Sequence, residues 1–211
     1  MKLTLDRVDH LVYAVPDLDE AVKELEKKLG VAPVPGGKHR SQGTHNALVH
    51  LGNNSYLEII APDPDNTDFT GQRWMGIDLI DRPTITRWAV STNDLDRDRA
   101  YLATIDPQLG GIKGGSRKRP DGTKLIWKAT VVLPEPKVEV LPFVIDWKGT
   151  DHPARSLPQV CQLVELRGEH PTPWFIETAI HSLNVGMKMG VADEPAITAI
   201  IETPKGRVEL S

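Results

Sequence analysis

Residues 6–30, DRVDHLVYAVPDLDEAVKELEKKLG, read as a strand, a sharp turn and an amphipathic helix. RVDHLVYAV is rich in β-branched and aromatic residues, which suit a pleated, half-buried surface. Leu18, Ala21, Val22, Leu25 and Leu29 then recur at helical spacing and form one apolar stripe. Asp17 has the chemistry of an N-cap, with Glu20 three residues on as in a capping box. Gly30 is placed to end the helix in a left-handed turn. One residue departs from a plain strand: His10 stands among side chains that belong in a sheet.

Outward from this stretch the order strand, helix, strands unfolds and then recurs. Residues 31–43, VAPVPGGKHRSQG, are too rich in Pro and Gly to predict a regular element. HNALVHLG and SYLEIIAP read as two strands joined at GNN, a tight hairpin. TITRWAVS predicts the next strand, and NDLDRDRAYLATI the next helix, with Asp94 as its cap. LGGIKGGSRKRPDG reads as a flexible loop. TKLIWKATVVL and VLPFVIDW read as strands around a PEPK loop. Matching Asp17-Leu18-Asp19 to Asp94-Leu95-Asp96 sets an internal repeat with a shift of 77 residues. Such self-similarity means two supersecondary units sharing one core. The tail looks like a third, partial copy: a strand in VCQLVELRGEH, a helix in PTPWFIETAIHSLN and a hairpin of AITAIIET and GRVEL.

Composition narrows the function. Lys plus Arg total 25 and Asp plus Glu 29 in 211 residues, a formal charge of −4. Phosphate-backbone binding needs a basic surface, so nucleic acid is not expected as a partner. No apolar run approaches the roughly 20 residues of a membrane helix, and the opening MKLTLDRVDH lacks a signal-peptide pattern. A soluble, cytoplasmic protein is expected, monomer or homodimer, with a small-molecule substrate as its partner. Cys161 is the only cysteine, which leaves no intrachain disulfide and reads as a small buried hydrophobe. The chain lacks H-E-x-x-H, G-x-S-x-G, P-loop and Rossmann patterns.

Three stretches, DHLVYAVPDLDEAV, GTHNALVHLGNNSYLEIIAPDP and LPFVIDW followed by DHP, resemble the vicinal oxygen chelate superfamily. Within it they resemble the glyoxalase-like domain proteins, the fold shared with bleomycin resistance proteins and extradiol dioxygenases. The likeness covers most of residues 6–155. It implies an α+β fold of two βαβββ modules, residues 1–80 and 81–155, that form a cup-shaped open barrel. A C-terminal βαββ extension, 156–211, packs on the same domain. It implies lyase, isomerase or ring-opening dioxygenase chemistry on a small oxygenated, anionic molecule. The alternative is a metal-free protein of the same fold that binds or sequesters a small molecule.

The resemblance also gives His10 a role. His10 and Glu58 stand where the superfamily commonly places metal ligands, and imidazole and carboxylate suit zinc, nickel, manganese or iron. They are the catalytic candidates, with either a divalent metal or no cofactor. Tyr56, Glu58 and Ile60 share one strand face, and Asn46 shares another with Leu48 and His50. The second module breaks the pattern: the 77-residue shift carries His10 onto Arg87, and Phe143 takes the place of Glu58. Arginine is no metal ligand but binds oxyanions. Arg87 is therefore expected to point into the cup, against Glu58 or a substrate anion. Asn46 could hydrogen-bond a substrate carbonyl, Trp127, Phe143 and Trp147 could line an apolar wall, and His152 could fold over the mouth. Arg117, Lys118 and Arg119 could draw in an anion. His50 is expected at the surface, and His170 and His181 as structural residues.

Overall fold

The structure, a computed structural model, describes residues 3–118 and 122–211. Strand β1 (Val8–Ala14) leads into helix α1 (Leu18–Leu29), then β2 (Val34–His39), β3 (Thr44–His50) and β4 (Tyr56–Pro62). The order repeats as β5 (Thr84–Ser91), α2 (Leu95–Ile105), β6 (Ile112–Lys118), β7 (Lys124–Thr130) and β8 (Phe143–Asp146). Both helices start as their sequences predict. The Asp17 carboxylate accepts from the Glu20 amide and Asp94 from the Arg97 amide, and Gly30 closes α1 at φ 74°.

These strands form one eight-stranded sheet in the order β2-β3-β4-β1-β5-β8-β7-β6. In each unit the first strand runs parallel to the last, β1 beside β4 and β5 beside β8, and the two units join by the antiparallel β1–β5 pair. The sheet curls until its edges β2 and β6 face each other, which makes a cup. Gly36 sits at that seam. A side chain there would come within 2.6 Å of Arg117 Nη1, so only hydrogen lets the edges approach.

Two stretches that the sequence marks as irregular are strands. Residues 34–39 form β2 despite Pro35, because β2 is an edge where a missing amide costs no ladder bond, and a bulge lies between Pro35 and Gly37. Residues 112–118 form β6, the opposite edge, rather than a loop. The expected roles of Arg119 and of the Lys118 side chain lie outside the described residues.

The tail contributes β9 (Gln162–His170), α3 (Pro173–Ser182), β11 (Ala196–Thr203) and β12 (Gly206–Leu210), with an additional short strand β10 (Lys188–Val191). Its sheet runs β10-β9-β11-β12. Here the first strand pairs in parallel with the strand that follows the helix, so the tail is wound differently from the two units. Its apolar residues Leu166, Ile180 and Ile201 pack with Leu11, Leu57 and Trp88 from the outer face of the large sheet. Cys161 is buried in this layer. Among the described residues no helix is long and apolar enough to cross a membrane.

Strand alternation thus sends two sets of side chains in opposite directions. Leu11, Leu57, Ile59, Ala47 and Val49 go outward into the core shared with the tail. Val12, Ala14, Ile60, Ala89, Phe143 and Ile145 go inward with the cup.

Candidate active site

The cup encloses about 810 Å³ and is lined by residues from both units. His10 enters from β1. The β1–β5 pairing slips between Val8 and His10, a bulge of the kind that re-aims a side chain. It lets Asp9 lie beside its neighbour, whereas consecutive residues of a regular strand diverge. His10 Nδ1 donates to Asp9 Oδ1 at 2.7 Å. Asp9 Oδ2 accepts from Trp147 Nε1 at 2.9 Å and lies 3.2 Å from His152 Nε2.

Asp9 is buried, and burial by itself would push its carboxyl up. The hydrogen bonds and charges of His10 and His152 outweigh that and hold it down at about 2. His152 Nδ1 accepts the Ala154 amide, so its Nε2 carries the proton that Asp9 receives. An ionised Asp9 holds a proton on His10 Nδ1, so the neutral ring presents its bare Nε2 to the cup.

Glu58 enters from β4. Its Oε1 accepts from Asn46 Nδ2 at 2.5 Å, and Asn46 Oδ1 in turn accepts from Arg117 Nη1 at 3.1 Å. Arg117 therefore sets which way the Asn46 amide faces. Glu58 Oε2 points at His10 Nε2 across 3.8 Å. A lone pair and a carboxylate oxygen so placed need a proton, or a guest that carries one, between them.

His39 closes the same side from β2, with Nε2 4.0 Å from Glu58 Oε1. Burial, aided by the Arg117 charge, drives its imidazole down to about 4 against the pull of Glu58, so it is neutral near pH 7. Tyr56 stacks on His10 with ring centroids 4.8 Å apart. Burial, with the fields of Glu58 and Asp9, raises its phenol well above the usual range, so it stays protonated.

The facing wall is apolar. Phe143 meets His10 edge-on at 5.3 Å, Trp127 and Trp147 lie 5.8 Å apart, and Ala129 and Ile145 complete it. The superfamily likeness implies a metal here, and the side chains test that directly. His10, His39 and Glu58 offer donors from one side only, and the Phe143, Trp127, Trp147, Ala129 and Ile145 wall offers no metal ligand. Among the described residues no group of three or more His, Cys, Asp or Glu side chains is placed to hold an ion. The donor set does not fit a divalent metal held by the protein.

Of the residues singled out from sequence, His10, Glu58, Asn46, Trp127 and Phe143 all line this cup. Two lie elsewhere. His152 sits behind Asp9, not over the mouth. Arg87 pairs with Val12 on the ladder, while Ala89 stands opposite His10. The Arg87 guanidinium donates to the carbonyls of Thr86, Leu133, Pro136 and Lys137 and borders a second cavity, so the expected approach to Glu58 is not made. The 133–137 loop satisfies this buried cation better than a lone carboxylate across the sheet could. His50 is buried rather than exposed, its Nδ1 accepting the Gly52 amide.

Sequence reasoning left Asp9, His39 and Tyr56 without roles. Asp9 precedes His10 and had a visible signal in the Asp-His pair. His39 was hidden by the Pro- and Gly-rich run around it.

A family model described as a glyoxalase-like domain matches residues 8–183. A hypothetical protein from Staphylococcus aureus superposes with a TM-score of 0.67 at 12% identity, over 90% of this chain and 87% of that one. A methylmalonyl-CoA epimerase in complex with methylmalonyl-CoA and NH4+ gives 0.45 at 19% identity, over 72% of this chain and 100% of that one. The methylmalonyl-CoA epimerase from Mycobacterium tuberculosis gives 0.41 at 19%, over 69% and 89%. No curated protein matches the sequence. The Staphylococcus aureus likeness, at 12% identity, speaks to the fold alone.

Proposed function

The chain belongs to the glyoxalase-like domain family, and on that premise we propose that its cup transfers protons on a small oxygenated, anionic organic molecule, as an isomerase or lyase. The carrying observation is the array Asp9–His10–Glu58, with a bare imidazole nitrogen 3.8 Å from a carboxylate oxygen. A base and a carboxylate so spaced support proton transfer.

His10 Nε2 takes a proton from a carbon next to a substrate carbonyl. The bonding pair stays on the substrate as an enolate. Asp9 stabilises the imidazolium that forms, since it is ionised and already bonded to Nδ1. Asn46 occupies Glu58 Oε1 and leaves Oε2 to take that proton from His10 and return it to the neighbouring atom of the enolate. Tyr56, protonated beside His10, offers a hydrogen bond to the developing oxyanion. The Trp127–Trp147–Phe143 wall holds the apolar part of the substrate and excludes water from the enolate.

The test is proton exchange. The protein is incubated in D2O with a panel of small 2-oxo and 2-hydroxy carboxylic acids, and loss of the carbon-bound proton is followed by NMR. Exchange on at least one of them is expected, to persist after dialysis against a chelator, and to vanish in His10→Gln and Glu58→Gln. Tight binding across the panel with no exchange would replace this reading by its rival, a protein that sequesters its ligand without turning it over.

A further inference from the structure

The cup is electropositive in a chain whose formal charge is −4. Among its described lining residues are five cations, Lys38, Arg40, Lys113, Arg117 and Lys124, against one carboxylate, Glu58. Lys38 is already bound, at 2.9 Å to Asp63 and 2.7 Å to Asp65. No ion pair among the described residues ties Arg40, Lys113, Arg117 or Lys124 to an acid. They are spread along the seam: Arg40 follows β2, Lys113 and Arg117 share one face of β6 four residues apart, and Lys124 pairs with Lys118 at the far end of the β6–β7 hairpin. Arg117 is the inner one, 6% exposed, and the other three are exposed.

Size points the same way. A six-atom oxygenated acid, at about 30 Å³ for each water-sized group, fills about a quarter of the cavity. A ligand that occupied only the space at His10 would leave the cationic side empty. Unneutralised cations along the seam raise the local concentration of an oxyanion and repel cationic competitors.

From this we infer that the substrate carries, remote from its reacting carbon, a group of two or more negative charges, phosphoryl or dicarboxylate, which seats against Arg117 at the β2–β6 seam. The inference rests on the cup being the reaction site proposed above. It sharpens that reading from a simple anion to a molecule with two poles. The reacting end lies at His10 and Glu58, the charged end at the β2–β6 seam.

Binding of phosphoglycolate, malonate and glycolate to the whole protein, measured by calorimetry at low ionic strength, tests it. Phosphoglycolate, malonate or both should bind at least about tenfold tighter than glycolate, and the advantage should shrink at physiological salt, where screening acts over about 8 Å. A phosphoryl group is assigned if phosphoglycolate leads, a carboxylate pair if malonate does. Arg117→Gln, which keeps an N–H donor for Asn46 Oδ1, should erase the preference, and Arg117→Lys should retain part of it. Equal affinity for all three ligands, or a preference untouched by Arg117→Gln, overturns the inference. Proton exchange is read separately: its loss with the charge preference intact sinks only the proposed chemistry. Exchange with no charge preference sinks only the second pole.

Discussion

The two halves of the cup share one winding and differ in what they turn toward His10 and Glu58. The first unit turns His10, His39, Asn46 and Glu58 inward. The second, with the same strand–helix–strand order and the same parallel closing pair, turns Trp127, Ala129, Phe143 and Ile145 inward. Across the joining ladder His10 faces Ala89. A repeated fold thus fixes where side chains project, while each strand face remains free to hold donors or hydrocarbon. In this protein one half carries the acid–base groups, and the other shapes and dries the space in front of them while its edge strand β6 adds cations at the seam.

The largest expected effect separates the halves directly. His10→Gln should cut proton exchange by about a thousandfold, within the range general base catalysis supplies, and Phe143→Leu by less than about tenfold. Comparable losses in the two variants would mean that the apolar wall takes part in the chemistry.

Next comes the carboxylate behind the base. Asp9 receives His10, Trp147 and His152, and an amide has only one oxygen to offer them. Asp9→Asn should cost about 4 kcal/mol of stability in denaturant unfolding, as expected when a buried charge network is broken. The wild-type carboxyl is depressed from 3.8 to about 2, so its contribution is present above pH 3.8 and is lost as pH falls toward 2. The variant should lack that acid limb.

His39 gives a smaller and oppositely placed effect. Its folded value is about 4 against 6.5 unfolded, so between those limits the unfolded chain takes up a proton that the folded chain refuses. Stability therefore falls as pH drops from 6.5 to 4, by on the order of 3 kcal/mol. His39→Phe keeps a ring against Trp74 and should flatten that window. A slope unchanged in the variant would place the titrating group elsewhere.

Arg87 tests the boundary of the second half. Arg87→Leu strips donors from four carbonyls that water in the adjoining cavity can partly replace. A loss of about 2 kcal/mol in stability is expected, with ligand affinity in the main cup nearly unchanged. A collapse of affinity would return Arg87 to the binding site.

Most of the fold was legible because it rests on local signals: apolar periodicity, two aspartate caps and a repeated strand–helix junction. The misread segments, β2 and β6, are the two sheet edges, where proline and glycine are tolerated and propensity loses its force. In the site, His10, Glu58 and Asn46 could be placed by face alternation. Asp9 could not, since only the bulge in β1 brings it round to His10. Arg87 misled for a related reason. Its face was read correctly, but a guanidinium reaches several ångströms from its backbone, and a distant loop supplied the oxygens.

Trp147 brings an optical consequence. Its indole N–H donates to Asp9, and its ring lies edge-on to His152 at 5.4 Å. The chromophore therefore sits against the carboxylate that steers His10, at the back of the reacting groups. A proton or charge that arrives in the array changes the field across the indole, and its emission should change with it. The protein carries its own dye at the one place where the state of the base can be watched without a label.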